Sequence, residues 1–317
     1  MTDLAQSPDR SVAINDANVD QTVTRKAVQT PFRRFVSDFC ESKVALLGLF
    51  VFVLVVLAAV FAPLITPQNP YDLAQLDIWD NLLEPGSESS AGFTYILGTD
   101  GQARDLWSAI LYGLRISIAV GAMSAFIALL VGSLIGLAAA FFGGRVDTII
   151  MRIVDMQLSF PAILVALILM AVLGEGVDKT IIALVLVQWA YYARTIRATA
   201  LVERRKEYIE AAHCLALTNQ RIVLKHLLPN CMPPLIVVVT VQVASAISLE
   251  ATLSFLGIGL PQTEPSLGAL ISNGFDYMLS GKYWISFYPG VALLITIVSI
   301  NLVGDHLRDV LNPRMRR

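Results

Sequence analysis

Charged residues are scarce in this chain of 317 residues. They make up 15% of the sequence, whereas 56% is hydrophobic. Ordinary soluble domains carry about 25% charged residues, so the composition excludes a typical water-soluble protein. Cysteine is scarce as well. The spacing of Cys40, Cys214 and Cys231 fits neither a disulfide framework nor a zinc site, and we interpret these residues as small apolar side chains.

Sequence signatures of several other functions are absent. The chain has no G-x-x-x-x-G-K-[ST] phosphate-binding loop, so we expect it neither to bind nor to hydrolyse ATP by itself. It also lacks the H-E-x-x-H zinc motif, and its three histidines are scattered, which argues against an intramembrane enzyme and against a bound metal. The first 30 residues contain no apolar stretch, so we expect a polar tail there rather than a cleaved signal peptide.

What the sequence does contain is long apolar runs. A helix needs about 20 apolar residues to cross the hydrocarbon core of a bilayer. Six runs approach or exceed that length: 44–62, 116–142, 149–173, 180–193, 234–256 and 287–303. The sequence therefore predicts an all-α integral membrane protein with six transmembrane helices and with both termini on the same side.

Lysine and arginine are distributed unevenly between the two sets of connecting segments. They are concentrated in segments 33–43, 145–152, 194–225 and 308–317. The opposite segments hold only Arg104, Lys179 and Lys282, with Arg115 at the edge of a span. Because basic residues favour the cytoplasmic side, we expect both termini in the cytoplasm.

The largest cytoplasmic loop contains a polar, helix-forming segment, EYIEAAHCLALTNQRIVLKHLLPN, which we name the coupling segment (residues 207–230). Residues 208–217 favour one short helix, and Thr218 or Asn219 is a suitable cap for a second helix over 221–228. We expect Pro229 to end that second helix. The loop is too short to fold independently. Its periodicity alone leaves open whether it is a plain amphipathic linker.

The coupling segment resembles the EAA loop of the membrane subunits of ABC importers. The resemblance is carried by five positions at the family spacing: Glu210, Ala211, Ala212, Leu228 and Pro229. Two positions depart from the family pattern, since Ala216 replaces a usual glycine and His226 replaces a usual isoleucine. The sequence His-x-Leu-Pro-Asn that begins at His226 is similar to the branch that imports peptides.

Other blocks resemble the C-type permease subunits of dipeptide and oligopeptide importers. These blocks lie within 97–117, 142–161, 254–268 and 301–313. In the first of them, Ala103 stands where the family usually has glycine before Arg104-Asp105. The resemblance implies the transmembrane domain of a type I ABC importer over residues 108–310, with the coupling loop at 201–233. A cytoplasmic tail (1–40), a first transmembrane helix (41–63) and a periplasmic loop (64–107) would precede it, and a basic tail (311–317) would follow.

The resemblance also implies a function and a set of partners. The chain would be a non-catalytic permease subunit in the bacterial inner (plasma) membrane, forming half of a translocation path for di- or oligopeptides. Its partners would be a B-type permease, two ATPase subunits that bind ATP and Mg²⁺, and an external substrate-binding protein, with no role for nucleic acid. Glu210, Ala211, Ala212, Ala216, Leu228 and Pro229 would contact the ATPase. Nickel, glutathione or opines stay open as alternative cargo.

Polar residues inside the predicted spans are candidates for the translocation path, because burying them is costly. Glu250 is a candidate path or gate residue, although a carboxylate paired within the bundle is the alternative. Arg115 is a candidate near the outer gate. Gln242, with Gln188, either lines the path or forms hydrogen bonds between helices. For Asp155 we expect an ion pair with Arg152 in the same helix. A rival function, an ion-driven secondary transporter, would need a carboxylate within the membrane, and Glu250 and Asp155 are the candidates for it.

Overall fold

A computed structural model describes residues 31–72, 74, 76–90, 92–261 and 263–311. The expected N-terminal tail over residues 1–30 and most of the expected basic C-terminal tail lie outside the described residues. The described part is mainly helical, as the apolar runs predict. Its first helices are α1 (Pro31–Cys40), α2 (Lys43–Val60) and α3 (Ala62–Ile65).

Four helical segments of the described chain are long and apolar enough to cross a membrane. They are α2, α4 (Leu106–Phe142), the continuous segment Asn219–Phe255 and α12 (Trp284–Leu311). A fifth span results if the bent pair α5 (Gly144–Ser159) and α6 (Ala162–Leu173) is counted as one. The all-α membrane fold is confirmed. The count of six, which also requires α7 (Val177–Glu203), stays a prediction.

The prediction of one uninterrupted helix over 149–173 is wrong. The axes of α5 and α6 differ by 94° across a break at Phe160 and Pro161. Phe160 adopts an extended conformation, which is what a residue before proline favours. Hydrophobicity does not reveal this break, because both residues at the corner are themselves apolar.

The prediction that Pro229 ends a helix is also wrong. α9 (Asn219–Arg221) leads into one turn of π-helix, Ile222–Leu227, and then directly into α10 (Leu228–Phe255). Pro229 occupies the first turn of α10, where a missing N–H group costs little. The coupling segment is therefore continuous with the fifth predicted span.

α4 begins ten residues before the predicted span, inside the expected outer loop. Its cap is Asp105, whose carboxylate accepts a hydrogen bond from the backbone N–H of Ser108 at 2.9 Å. The loop before it contains a 3₁₀ turn, Ile78–Asp80, and a small antiparallel hairpin in which β1 (Ser87–Glu88) pairs with β2 (Thr94–Tyr95). A short helix, α11 (Leu267–Phe275), lies between the last two long helices.

α4 and α7 form the central helix pair, and small residues allow their close approach. A Cβ atom on Gly132 would collide with the carbonyl group of Trp189, and one on Gly136 would collide with that of Ala193. Small residues four apart allow such close packing between membrane helices. α10, α12 and α2 pack around this pair. On α2 the side chains of Phe50, Leu54 and Leu57 are exposed, which suits contact with lipid.

Candidate coupling segment and translocation groove

The coupling segment folds as a short helix held against the turn that follows it. In α8 (Glu207–Cys214), the side chains of Ile209 and Ala212 are buried against Ile222, with Leu217 packed beside them. Glu210 and Ala211 lie on the opposite face and are exposed. Within the Glu-Ala-Ala sequence, Glu210 and Ala211 are therefore exposed to solvent, whereas Ala212 packs the helix against its own loop.

Ala216 ends α8 in a left-handed conformation, with φ = 51°. Its N–H group donates to the carbonyl oxygen of His213 at 2.9 Å, and the N–H group of Leu217 donates to that of Ala212 at 3.2 Å. This pair of bonds is the Schellman motif, which normally has glycine at the left-handed position. Ala216, which stands where the resembling family usually has glycine, therefore occupies a conformation that glycine adopts more easily.

The remaining two predicted coupling residues lie where the segment meets the bundle. Leu228 is half-buried and packs against the cluster that includes Leu227, Cys231 and Leu235, whereas Pro229 is exposed. The structure thus places Leu228 and Pro229 at the junction with a span, away from the tip of the loop.

Three side chains attach α8 to the end of α7. Glu203, the last residue of α7, is buried and accepts hydrogen bonds from Lys206 Nζ at 2.6 Å and from the Tyr208 hydroxyl at 2.7 Å. Burial raises the pKa of Tyr208, and the hydrogen bond to Glu203 raises it further, to about 12, so the phenol keeps its proton. The sequence analysis missed this contact. Its only signal is an acidic residue at the end of a span, directly before Arg204-Arg205-Lys206.

Arg204 attaches the same region to α4. Its guanidinium group donates to the carbonyl oxygens of Ala140 and Phe141, at 3.0 and 3.1 Å, and lies 6.0 Å from the ring centre of Phe141. A cation at the last carbonyl groups of a helix is favourable. The ends of α4 and α7 are therefore joined beside the coupling segment.

Two large cavities form a groove between α7 and α10, with α12 at its edge. The first, which we name the charged cavity, has a volume of about 1040 Å³ and is lined partly by Arg194, Glu203, Asn230 and Arg308. The second, the neutral cavity, has a volume of about 740 Å³. Its polar lining comes from Gln188, Gln242, Ser245, Ser248, Thr252 and Asn301.

The two cavities meet at Gln242. Tyr191, Val241 and Gln242 line both of them. The structure therefore places Gln242 on the groove. It also forms a link between helices, because its backbone carbonyl oxygen accepts a hydrogen bond from Gln188 Nε2 at 3.0 Å. The hydrogen bond between helices, one of the two alternatives left open for the glutamines, is therefore present, and a role of Gln242 in the translocation path stays a prediction.

Glu250 lies away from both cavities, fully buried in the bundle. Its carboxylate accepts hydrogen bonds from Ser117 on α4 and from Ser254 on α10, each at 2.8 Å. A third side-chain hydrogen bond comes from Ser266, the cap of α11. This arrangement is the bundle-paired carboxylate that the sequence left open as the alternative. A gate role for Glu250 stays a prediction.

Arg115 is exposed at the other end of α4. Its guanidinium lies close enough to Tyr71 to influence it. Burial and a hydrogen bond to Glu264 raise the pKa of Tyr71, and Arg115 opposes this rise. Arg115 lines neither large cavity. Its role near an outer gate also stays a prediction.

Polar contacts also attach the bent pair to α7. Asp155 pairs with Arg194, so the expected intrahelical pair with Arg152 is wrong. Asp147 accepts two hydrogen bonds from Arg197, at 2.8 and 2.5 Å. Residue spacing along one helix cannot predict such contacts between different helices.

Among the described residues no group of histidine, cysteine, aspartate or glutamate has the geometry of a metal site.

Comparisons with known proteins agree with this geometry. Residues 128–317 match the model of the family described as binding-protein-dependent transport system inner membrane component. Residues 30–85 match that of the N-terminal transmembrane domain of oligopeptide transport permease C.

Relatives match over most of the chain. A putative peptide transport system permease protein of Brucella suis is 42% identical over 85% of this chain and 88% of its own length. The di/tripeptide transport system permease protein DppC of Pseudomonas aeruginosa is 36% identical over 90% of this chain and 93% of its own length.

A solved chain of the MetNI methionine ABC transporter, crystallised in an inward-facing conformation, is similar in fold. Its TM-score is 0.53 at 20% identity, and the match covers 64% of this chain and 96% of that chain. At this identity the likeness concerns the fold alone.

Proposed function

Because this chain belongs to the family of binding-protein-dependent transport system inner membrane components, we propose that it is the permease subunit of an ATP-driven importer of di- or oligopeptides. The peptide cargo is supported by the names of relatives from several bacteria, which are permeases of peptide, di/tripeptide and dipeptide transport systems. The chain contributes half of the translocation path. ATP hydrolysis takes place on separate ATPase subunits that carry the ATP and Mg²⁺.

The observation that carries this proposal is the continuity between the coupling segment and the groove. α8 is attached through Glu203 to α7, and the turn after α8 runs without interruption into α10. α7 and α10 are also the two helices that line both cavities. A displacement of α8 therefore moves both walls of the groove.

The mechanism follows from this connection. The exposed Glu210 and Ala211 contact an ATPase subunit in the cytoplasm, on the same side as both termini. When two ATPase subunits close on ATP, they displace α8, and the walls formed by α7 and α10 change their separation. The groove then opens alternately to each side of the inner membrane, a two-state motion of packed helices.

The groove needs a second wall. Side chains along α10 that face the neutral cavity, such as Ser245 and Ser248, are exposed in the isolated chain. A B-type permease paired with this chain supplies that wall and encloses the path. An external substrate-binding protein delivers the cargo to the opposite end of the bundle.

The decisive experiment replaces an exposed residue of α8 in the reconstituted complex. Glu210→Ala leaves the buried contacts of Ile209 and Ala212 intact, so the segment keeps its fold. We expect peptide uptake to fall about five- to thirtyfold, because lost coupling contacts of about 1–2 kcal/mol change a rate by that factor. Either the ATPase dissociates from the membrane or its hydrolysis becomes independent of cargo.

The matched control is Glu175→Ala, which removes another exposed glutamate at the opposite end of the bundle, beside the start of α7. This variant should transport normally. Unchanged uptake in Glu210→Ala, together with failure of any ATPase to co-purify with the chain, would contradict the proposal and favour an ion-driven carrier.

A further inference from the structure

The neutral cavity contains no charged side chain and no histidine or cysteine among its described lining residues. Its polar groups are amides and hydroxyls, and several of them follow one face of α10 at helical spacing: Gln242, Ser245, Ser248 and Thr252. These groups offer hydrogen bonds to a cargo but no counter-charge. A bare divalent cation would lose its hydration here without gaining the ligands it prefers.

Gln242 differs from the other polar residues of this face. The residue is only 7% exposed, yet its side-chain amide has no hydrogen-bond partner among the described residues. It is not sealed within the protein, in contrast to Gln188 Oε1, which is buried without a partner. Because its amide faces the cavities, Gln242 is a donor and acceptor available to a molecule in the groove.

We infer that Gln242 is a cargo contact, at which a peptide bond of the cargo pairs with the side-chain amide. The peptide N–H group donates to Oε1 of Gln242, and Nε2 of Gln242 donates to the peptide carbonyl oxygen. This contact recognises the backbone of the cargo and does not depend on the side chains of the cargo. It rests on the proposed function, and it narrows the cargo to molecules with a secondary amide, excluding free metal ions.

The position of Gln242 suits such a contact. It lies where the neutral cavity meets the charged cavity, so any cargo that crosses the groove passes it. Beyond it, Arg308 lines the charged cavity, together with Arg194 and Glu203, which are paired with Asp155 and with Lys206. Within the bundle, the hydrogen bond from Gln188 goes to the backbone of Gln242. Substitution of the side chain therefore leaves this link between α7 and α10 in place.

The test compares two cargos in two versions of the complete complex, reconstituted in vesicles with its binding protein. The cargos are alanyl-alanine and alanyl-N-methylalanine, which lacks the peptide N–H donor. The variant is Gln242→Met, which has nearly the same size without the amide. For each cargo the uptake of the variant is divided by that of the wild type, so the preference of the binding protein cancels.

We expect Gln242→Met to reduce uptake of alanyl-alanine roughly three- to tenfold, the effect of one or two lost hydrogen bonds. Uptake of the N-methylated peptide should fall clearly less, since it already lacks one of the two bonds. Gln242→Glu keeps an acceptor oxygen for the peptide N–H group. Its loss of alanyl-alanine uptake should therefore be smaller than that of Gln242→Met. Gln102→Met, the same substitution at an exposed position outside both cavities, should change neither cargo.

Equal losses for both cargos would show a purely structural role and overturn the inference, as would no loss for either. Uptake of radioactive Ni²⁺ by a complex that carries no peptide would overturn the inference while leaving the importer intact. The proposed function itself would be contradicted if the wild-type complex transported neither peptides nor Ni²⁺ and if Glu210→Ala left ATP hydrolysis by the complex unchanged.

Discussion

Two alanines occupy backbone conformations that glycine adopts more easily. Ala103 has φ = 59° and Ala216 has φ = 51°. Both stand where the resembling family usually has glycine, so the departures noted in the sequence coincide with left-handed turns. The sequence showed that these positions were unusual. It could not show that the turns keep their shape. A left-handed alanine costs about 1–2 kcal/mol, and the hydrogen bonds that offset this cost are visible only in the structure.

Replacing Ala216 with glycine should stabilise the coupling segment by roughly 0.5–1 kcal/mol, since the relief of the left-handed strain exceeds the extra entropy of glycine when unfolded. The measurement is amide hydrogen exchange in α8, which should slow. Ala211→Gly is the matched control. It makes the same change within the right-handed helix, where it should speed exchange by destabilising α8 by about 1 kcal/mol. Equal responses of the two variants would contradict this explanation.

Proline acts differently at different places among the helical elements. Pro161 separates α5 from α6, whereas Pro229 lies in the first turn of α10, and Pro233 and Pro234 lie within that helix. Sequence alone identifies proline as a probable boundary. Whether the helix breaks depends on tertiary contacts and on the preceding π-helical turn, which is why the existence of the spans was predictable and these two boundaries were not.

The attachment of α8 to α7 also belongs to the scale of elements. Tyr208→Phe removes one hydrogen bond to the buried Glu203 while keeping the ring. We expect α8 to lose about 1.5 kcal/mol of local stability, because a partly exposed bond to a carboxylate contributes near the lower end of its range. Hydrogen exchange over Glu207–Cys214 should become faster, and the ATPase should hydrolyse ATP with weaker dependence on cargo.

Tyr283→Phe provides the control for this variant, because it deletes an exposed tyrosine hydroxyl at the opposite end of the bundle. If both substitutions leave exchange in α8 unchanged, the hydrogen bond to Glu203 does not hold the helix in place.

At the scale of the whole molecule, the sequence allowed a prediction of coupling residues more readily than a prediction of the groove. Glu210, Ala211 and Ala212 are close together in sequence and belong to a recognisable motif. The groove is assembled from α7, α10 and α12, which are separated in sequence, so only Gln242 and Gln188 could be singled out in advance. The contribution of Arg308 required the folded chain, because no local pattern places the end of α12 at the charged cavity.

Glu250 joins three elements of the whole molecule through the hydroxyls of Ser117, Ser254 and Ser266. Glu250→Ala should lower the free energy of unfolding by roughly 3 kcal/mol, because it leaves buried hydroxyls without partners. Glu250→Gln should cost less, since it keeps an acceptor. Thermal unfolding of the purified complex measures both.

Ser117→Ala, which removes a single donor, sets the scale for that comparison. A smaller effect of Glu250→Ala than of Ser117→Ala would mean that the carboxylate does not organise the junction of α4, α10 and α11.

The uninterrupted helix from Asn219 to Phe255 has a mechanical consequence. Its 37 residues span about 55 Å, so one rod reaches from the coupling segment to the far side of the bundle. The π-helical turn at Ile222–Leu227 and the internal prolines Pro233 and Pro234 are the points at which this rod can bend. Apart from bending at these points, a tilt of one end moves the other. Synchrony between the two faces of the membrane is therefore a property of the helix itself and needs no separate signal.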